Sequence, residues 1–140
     1  MSAVPRRAEF PGGTKTVLIV EDQLEMRAIH AAYLQHNGYR VLATGNGVEG
    51  LRVAREERPD LILMDISVPG IDGIHATEQL KQDPVTRGIP IVIVSALPYG
   101  SVGRRVLDAG CDGWISKPCA PHRLLEEVSR RVGEPGPARH

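Results

Sequence analysis

The sequence predicts a doubly wound α/β fold in which five helices cover a five-stranded parallel sheet, and three observations predict it. Apolar runs without polar alternation, above all Leu61-Ile62-Leu63-Met64 and Ile91-Val92-Ile93-Val94, read as strands buried on both faces. Segments with apolar residues at three- and four-residue spacing alternate with those runs and read as helices. Gly, Pro, Asn and Asp punctuate the passages between them, as in Asn37-Gly38, Pro69-Gly70, Asp72-Gly73 and Asp83-Pro84. A chain of 140 residues is one domain, long enough to bury a core.

In order, residues 1–14 carry Pro and Gly without periodicity and are expected as a flexible tail, with the folded domain over 15–132. Thr14-Lys15-Thr16 beside two glycines is no phosphate loop, because the Gly-x4-Gly-Lys-Ser/Thr spacing is absent and a strand follows instead of preceding it. Residues 16–20 form the first strand and run into Glu21-Asp22. The first helix is expected over 23–37, with Met26, Ile29, Ala32-Tyr33 and His36 recurring at helical steps. His30 and His36 read as helix-face histidines, since no metal partner lies at matching spacing. Residues 39–44 are the second strand, and 47–57 the second helix, with Val48, Leu51 and Val53-Ala54 on its inner face. The third strand, 61–64, delivers Asp65 into a turn-rich loop. The third helix, 73–82, turns Ile74, Thr77 and Leu80 inward and stops at Asp83-Pro84. Residues 91–95 are a fourth buried strand that ends on the hydroxyl of Ser95. The fourth helix is expected over 101–109, with Val102, Val106 and Leu107 as its apolar side. A fifth strand, 113–116, delivers Lys117-Pro118. The last helix, 121–132, sets Leu124, Leu125, Val128 and Val132 against a face of arginines and glutamates. Residues 133–140 are expected as a second flexible tail, with no room for an output domain.

Seventeen basic and seventeen acidic residues cancel, so no net field favours nucleic acid or an anionic membrane. Cys111 and Cys119 make neither metal-type spacing nor a disulfide framework, and read as reduced thiols. The N-terminus lacks the apolar stretch of a signal peptide, and no apolar run is long enough to span a bilayer, so a cytoplasmic protein is expected. Only Lys15, Lys81 and Lys117 among the basic residues are lysines, which makes a lysine at a strand end more telling.

Four strands end on groups that carry chemistry: Glu21-Asp22, Asp65, Ser95 and Lys117. The carboxyl ends of parallel strands share one edge of the sheet, where open α/β sheets place their ligands. Adjacent carboxylates repel unless a cation lies between them, and a hard divalent ion such as Mg²⁺ suits oxygen ligands that leave room for water. A lysine and a hydroxyl opposite them are what an incoming phosphoryl group needs. A competing pattern is Gly45-Asn46-Gly47-Val48-Glu49-Gly50, which follows a strand, opens a helix and has Asp65 twenty residues after Gly45, as a dinucleotide site requires. That reading leaves Glu21, Asp22, Ser95 and Lys117 without a role.

Taken together, the segments Val17-Leu18-Ile19-Val20-Glu21-Asp22, Pro59-Asp60-Leu61-Ile62-Leu63-Met64-Asp65, Val68-Pro69-Gly70-Ile71-Asp72-Gly73, Ser95-Ala96 and Ala109-Gly110-Cys111-Asp112-Gly113-Trp114-Ile115-Ser116-Lys117-Pro118 resemble the receiver domain of two-component response regulators. The resemblance covers roughly residues 16–132, and the Gly-Asn-Gly segment fits it as well. It implies a flavodoxin-like sheet of order 2-1-3-4-5. It also implies that Asp65 is the phosphoacceptor, with Lys117 and Ser95 contacting the phosphoryl group. Mg²⁺ would be held by Asp22, Asp65 and the backbone carbonyl of Ser67, with Glu21 acting through water. The Lys117-Pro118 bond is expected to be cis. Ser95 and Trp114 would form the switch, although Trp114 stands where the family usually has Tyr or Phe and is larger than either. The implied partners are a sensor histidine kinase or histidine phosphotransfer protein upstream, and a protein target on the face of the fourth helix, fifth strand and fifth helix. Neither nucleic acid nor membrane is implied, and a monomer or weak dimer is expected. The implied activity is a stand-alone phosphorylation switch with slow self-dephosphorylation and no other catalysis. Two alternatives stay open: a degenerate receiver that only binds partners, and a phosphatase or phosphotransferase with an Asp nucleophile. The latter needs a second Asp two residues on, where this chain has Ser67.

Overall fold

β-branched and aliphatic runs form the five strands β1 Thr16–Val20, β2 Arg40–Thr44, β3 Leu61–Met64, β4 Ile91–Ser95 and β5 Gly113–Ser116. In the computed structural model, which describes residues 5–134, they make one parallel sheet in the order β2-β1-β3-β4-β5, as expected. The expectations for residues 1–4 and 135–140 lie outside the described residues. Helices α1 Leu24–His36, α2 Gly47–Glu57, α3 Gly73–Gln82, α4 Tyr99–Ala109 and α5 Pro121–Val132 alternate with the strands. α4 starts two residues earlier than the sequence indicates, directly after Pro98.

The absence of alternation in the strands follows from a core on each side of the sheet. Leu18, Val20, Ile62, Met64, Ile91 and Ile93 pack with Val53, Ile74, Leu80 and Val106 from α2, α3 and α4. Val17, Ile19, Leu61, Leu63, Val92 and Val94 pack with Leu34, Leu124 and Val128 from α1 and α5. Burial on both faces is why no polar residue interrupts β1, β3 or β4 between Val17 and Val94 along these runs.

Three helix faces differ from the sequence reading. On α1 the buried residues are His30 and Leu34, while Ile29 is 50% exposed and His36 points outward. α1 carries apolar residues around its circumference, so spacing alone does not select the packed stripe. On α2, Val48 is 59% exposed and the close contact is made by Gly47 and Gly50. On α4, Leu107 is 55% exposed, and the buried residues are Gly103, Val106 and Ala109. Ile74, Thr77 and Leu80 of α3 are buried as expected.

Arg40 is only 1% exposed although it opens a strand. Its Nη2 pairs with Glu57 Oε1 at 2.6 Å, its Nη1 donates to Thr16 Oγ1, and its Nε donates to Pro5 O at 2.7 Å. Arg7, in a 3-10 turn at Arg7–Glu9, donates to Glu57 O and Thr16 Oγ1. Residues 5–14 thereby lie against the amino-terminal edge of the sheet, remote from the edge that carries Asp65.

Candidate functional site

Backbone hydrogen bonds beyond the strand ends bring the chemical groups together. Glu21 N donates to Thr44 O, Asp65 N donates to Val20 O at 3.0 Å, and Lys117 N donates to Ser95 O at 2.8 Å. The carboxyl ends of β1, β3, β4 and β5 therefore meet, and Glu21, Asp65, Ser95 and Lys117 converge as the strand order requires.

Asp65 is 6% exposed. Its Oδ1 accepts from Ser67 N at 3.0 Å and its Oδ2 from Lys117 Nζ at 2.8 Å. The same ammonium donates to Glu21 Oε1 at 2.6 Å, and Gln23 N donates to Glu21 Oε2 at 3.1 Å. Burial, reinforced by the nearby Asp65 charge, pushes the Glu21 carboxyl above its ordinary value despite the bonds from Lys117 and Gln23. Burial alone would lower the Lys117 ammonium, but hydrogen bonds to Asp65 and Glu21 outweigh it and raise the pKa. The lysine is therefore firmly charged between two carboxylates.

Asp22 is exposed beside this pair. One oxygen from each of Glu21, Asp22 and Asp65 lies within 4.8 Å of the others. Closely spaced hard oxygen donors, with one carboxylate open to solvent, fit Mg²⁺, which keeps several waters. Ser67, the fourth residue implied for the metal, directly follows Ile66 in the loop after Asp65 and is exposed. Ser95 is buried at the end of β4, where its Oγ accepts from Leu97 N at 3.0 Å. The Lys117–Pro118 peptide bond is cis. Trp114 is half-buried, packs edge-on against Tyr99 with ring centroids 5.2 Å apart, and donates from Nε1 to Ser116 Oγ at 3.2 Å.

Two glycines shape the loop that carries Asp65 to α3. At Gly73 a Cβ would run into the Asp65 carbonyl and lie 2.8 Å from Ile66 Cα, and at Gly47 it would meet the Ile71 carbonyl. Gly47 N also donates to Pro69 O at 3.0 Å. Gly50 lies over Val20, where a Cβ would come within 2.9 Å of its Cγ2. Gly47 and Gly50 thus serve packing between α2, β1 and the Asp65 loop. Asp72 caps α3 by accepting from Ile74 N and His75 N.

Two residues of the site escaped the sequence reading. Arg27 Nη1 donates to Glu21 O at 2.9 Å and lies over Gly45, bridging the loops after β1 and β2. His30 lines a small cavity together with Glu21 and Asp65. Neither carries a spacing signal, because both act from one turn of a helix whose register against the sheet is set by packing.

The family model for the response regulator receiver domain matches residues 17–129. The polar-differentiation response regulator DivK of Brucella anthropi is 38% identical over 120 residues, covering 86% of this chain and 98% of the relative. Among solved structures, the receiver domain of a sensor histidine kinase from Pseudomonas aeruginosa PAO1 has a magnesium ion coordinated in its active site cleft. It is 30% identical with a TM-score of 0.79, over 86% of this chain and 99% of that one. A CheY-like response regulator receiver domain protein from Methanospirillum hungatei JF-1 is 28% identical with a TM-score of 0.80, over 85% and 94% of the two chains.

Proposed function

This chain belongs to the response regulator receiver domain family of two-component signalling, and from that premise we propose that it accepts a phosphoryl group on Asp65 and switches partner binding in response. The observation that carries the reading is the single ammonium of Lys117 held between Asp65 Oδ2 and Glu21 Oε1. The donor is a phosphohistidine of a sensor kinase or histidine phosphotransfer protein, with acetyl phosphate as a small-molecule substitute. An Asp65 carboxylate oxygen attacks phosphorus and the bond from phosphorus to the donor breaks. The histidine nitrogen keeps the bond pair and the ring leaves neutral with the proton already on its other nitrogen, whereas acetyl phosphate releases acetate. Lys117 lies at hydrogen-bond distance from the attacking carboxylate and follows the charge onto the phosphoryl oxygens. Ser95 Oγ, held by Leu97 N, turns to donate to one of those oxygens.

Mg²⁺ would be held by Asp22, Asp65 and the Ser67 carbonyl, with Glu21 through water, and when bound it neutralises charge that the three carboxylates and the phosphoryl group bring together. Hydrolysis of the aspartyl phosphate is slow and resets the switch. The signal leaves by the face of α4, β5 and α5 to a protein target, from a monomer or weak dimer in the cytoplasm. Among the described residues no helix is long and apolar enough to cross a membrane.

Labelling with a phosphodonor, followed by intact mass, tests the assignment. Wild type gains one phosphoryl group that is lost in alkali or hydroxylamine, and Asp65→Asn gains none. Undiminished labelling of Asp65→Asn would overturn it.

A further inference from the structure

His30 Nε2 is the one buried side-chain nitrogen or oxygen without a hydrogen-bond partner among the described residues. The residue is 4% exposed. Its ring lines a cavity of about 10 Å³, the room needed by a single water and nothing larger. Ile19, Leu63, Val94 and Leu124 wall that cavity, and the carboxylate residues Glu21 and Asp65 complete it. It lies directly behind the reacting edge, under the face packed by α1 and α5.

The chemistry of the walls selects the occupant. Burial pushes the His30 imidazole below its ordinary pKa, a hydrogen bond to the Cys119 backbone opposes this, and the Lys117 charge reinforces it, so the ring is neutral. With the proton on Nδ1, toward the Cys119 backbone, the unpartnered Nε2 is an acceptor. The polar side chains of the residues that line the cavity, His30, Glu21 and Asp65, then offer acceptors only. An anion is excluded by charge, and an apolar filling leaves a buried lone pair unsatisfied. A neutral molecule with two donors and one-water size satisfies the set.

We propose that His30 is a positioning residue that holds one buried water, which donates one proton to Nε2 and the other to the Glu21–Asp65 carboxylate pair. The water anchors those carboxylates from within the protein and restricts the orientation in which Asp65 presents its free lone pairs. This consequence rests on Asp65 as the phosphoacceptor; the water site itself does not.

Two measurements test it. In wild type, imidazole ¹⁵N spectra show a neutral ring with an unprotonated Nε2, and the ring protons give a cross-peak to a long-lived water. An imidazolium, a protonated Nε2 or the lack of any water cross-peak overturns the site. His30→Leu slows labelling by acetyl phosphate about 2- to 12-fold, the loss of one hydrogen bond, and His30→Gln recovers most of that rate. A folded His30→Leu that labels at the wild-type rate overturns the positioning role. If His30→Leu does not fold, the wild-type ring spectra decide. Failure of wild type itself to take up phosphate is the separate failure of the phosphoacceptor reading, and leaves the ring spectra as the test of the water.

Discussion

Lys117 Nζ donates to Asp65 Oδ2 at 2.8 Å across a separation of 52 residues, and this contact joins the ends of β5 and β3. With Glu21 Oε1 at 2.6 Å, one cation faces two carboxylates that are each less than one-tenth exposed. Lys117→Met leaves those carboxylates facing each other, and is expected to destabilise by about 1–3 kcal/mol at neutral pH in urea unfolding. The raised Lys117 pKa means that the stabilisation is fully present below the ordinary value of 10.5 and fades as pH climbs through the raised one. Equal stability of variant and wild type at pH 7 would remove the ion pair from the account.

Mg²⁺ affinity should separate the two acidic neighbours. Both oxygens of Glu21 are already engaged, by Lys117 and by Gln23 N, whereas Asp22 is exposed beside them. Titration calorimetry is expected to show Asp22→Ala losing more affinity than Glu21→Ala, and excess chelator should stop labelling by acetyl phosphate. The reverse order would place Glu21 in direct contact with the ion.

The convergence of the candidate site was legible in the sequence because strand ends are marked twice, by the close of an apolar run and by the polar residue that follows. Asp65 after Leu61-Ile62-Leu63-Met64 shows both marks, and the shared edge of a parallel sheet supplies the convergence. Helix faces were less legible. Val48 and Leu107 fit an apolar stripe, yet both are exposed. On α2 the small residues Gly47 and Gly50 set which side of the helix approaches its neighbours, and on α4 Gly103, Val106 and Ala109 are the buried residues. Arg40 and His30 were illegible for a different reason. A polar residue is buried only where a tertiary partner or cavity receives it, and the partners of Arg40 lie at Glu57 and Pro5.

Gly47 offers a test of that close approach. A methyl group there meets the Ile71 carbonyl, so the loop bearing Pro69 and Ile71 must move. Gly47→Ala is expected to cost about 1–3 kcal/mol, the range for overpacking. Gly100, in the first turn of α4, has nothing within 4 Å of an added Cβ, and Gly100→Ala is expected to stabilise by about 0.4–1 kcal/mol. Thermal denaturation of the two variants compares them directly, and a neutral Gly47→Ala would count against tight docking of the loop.

Glu127 on α5 provides a pH test remote from the site. Burial raises its carboxyl, but hydrogen bonds from Arg130 and Arg131 outweigh burial and bring the pKa down to about 2. A folded-state value below the ordinary 4.5 gives stability that is present above pH 4.5 and lost as pH falls toward 2. Arg130 is largely solvated, which reduces the contribution to the ~0.2–1 kcal/mol of screened pairs. Glu127→Gln should therefore be less stable than wild type by that amount at pH 6, with the gap closing between pH 4.5 and 2. A gap that stays constant over this range would show that the arginines do not depend on the charge.

Trp114 is the single tryptophan of the chain and sits where a switch can be read. Its ring meets Tyr99 edge-on at 5.2 Å, and Tyr99 begins α4 directly after the segment that Ser95 Oγ holds through Leu97 N. A phosphoryl oxygen on Asp65 would accept from the Ser95 hydroxyl, and turning Oγ toward it would strain the bond that Oγ accepts from Leu97 N. Drawing Ser95 inward frees residues 96–98, loosens the start of α4, and lets the Tyr99–Trp114 contact change. The phosphoryl group shifts this equilibrium only by its differential affinity for the two arrangements, so a coupling of about 1–3 kcal/mol is the expected scale. Tryptophan emission should change on addition of acetyl phosphate with Mg²⁺ and stay constant in Asp65→Asn. The comparison is made at fixed Mg²⁺, since the ion alone can quench a ring near the site. Tyr99→Ala should alter the resting emission and reduce the phosphorylation-dependent change, because the edge contact that moves is then absent. If mass confirms phosphorylation while neither emission nor quencher accessibility of Trp114 responds, the ring is a packing group on β5 and the switch runs through residues 95–100 alone.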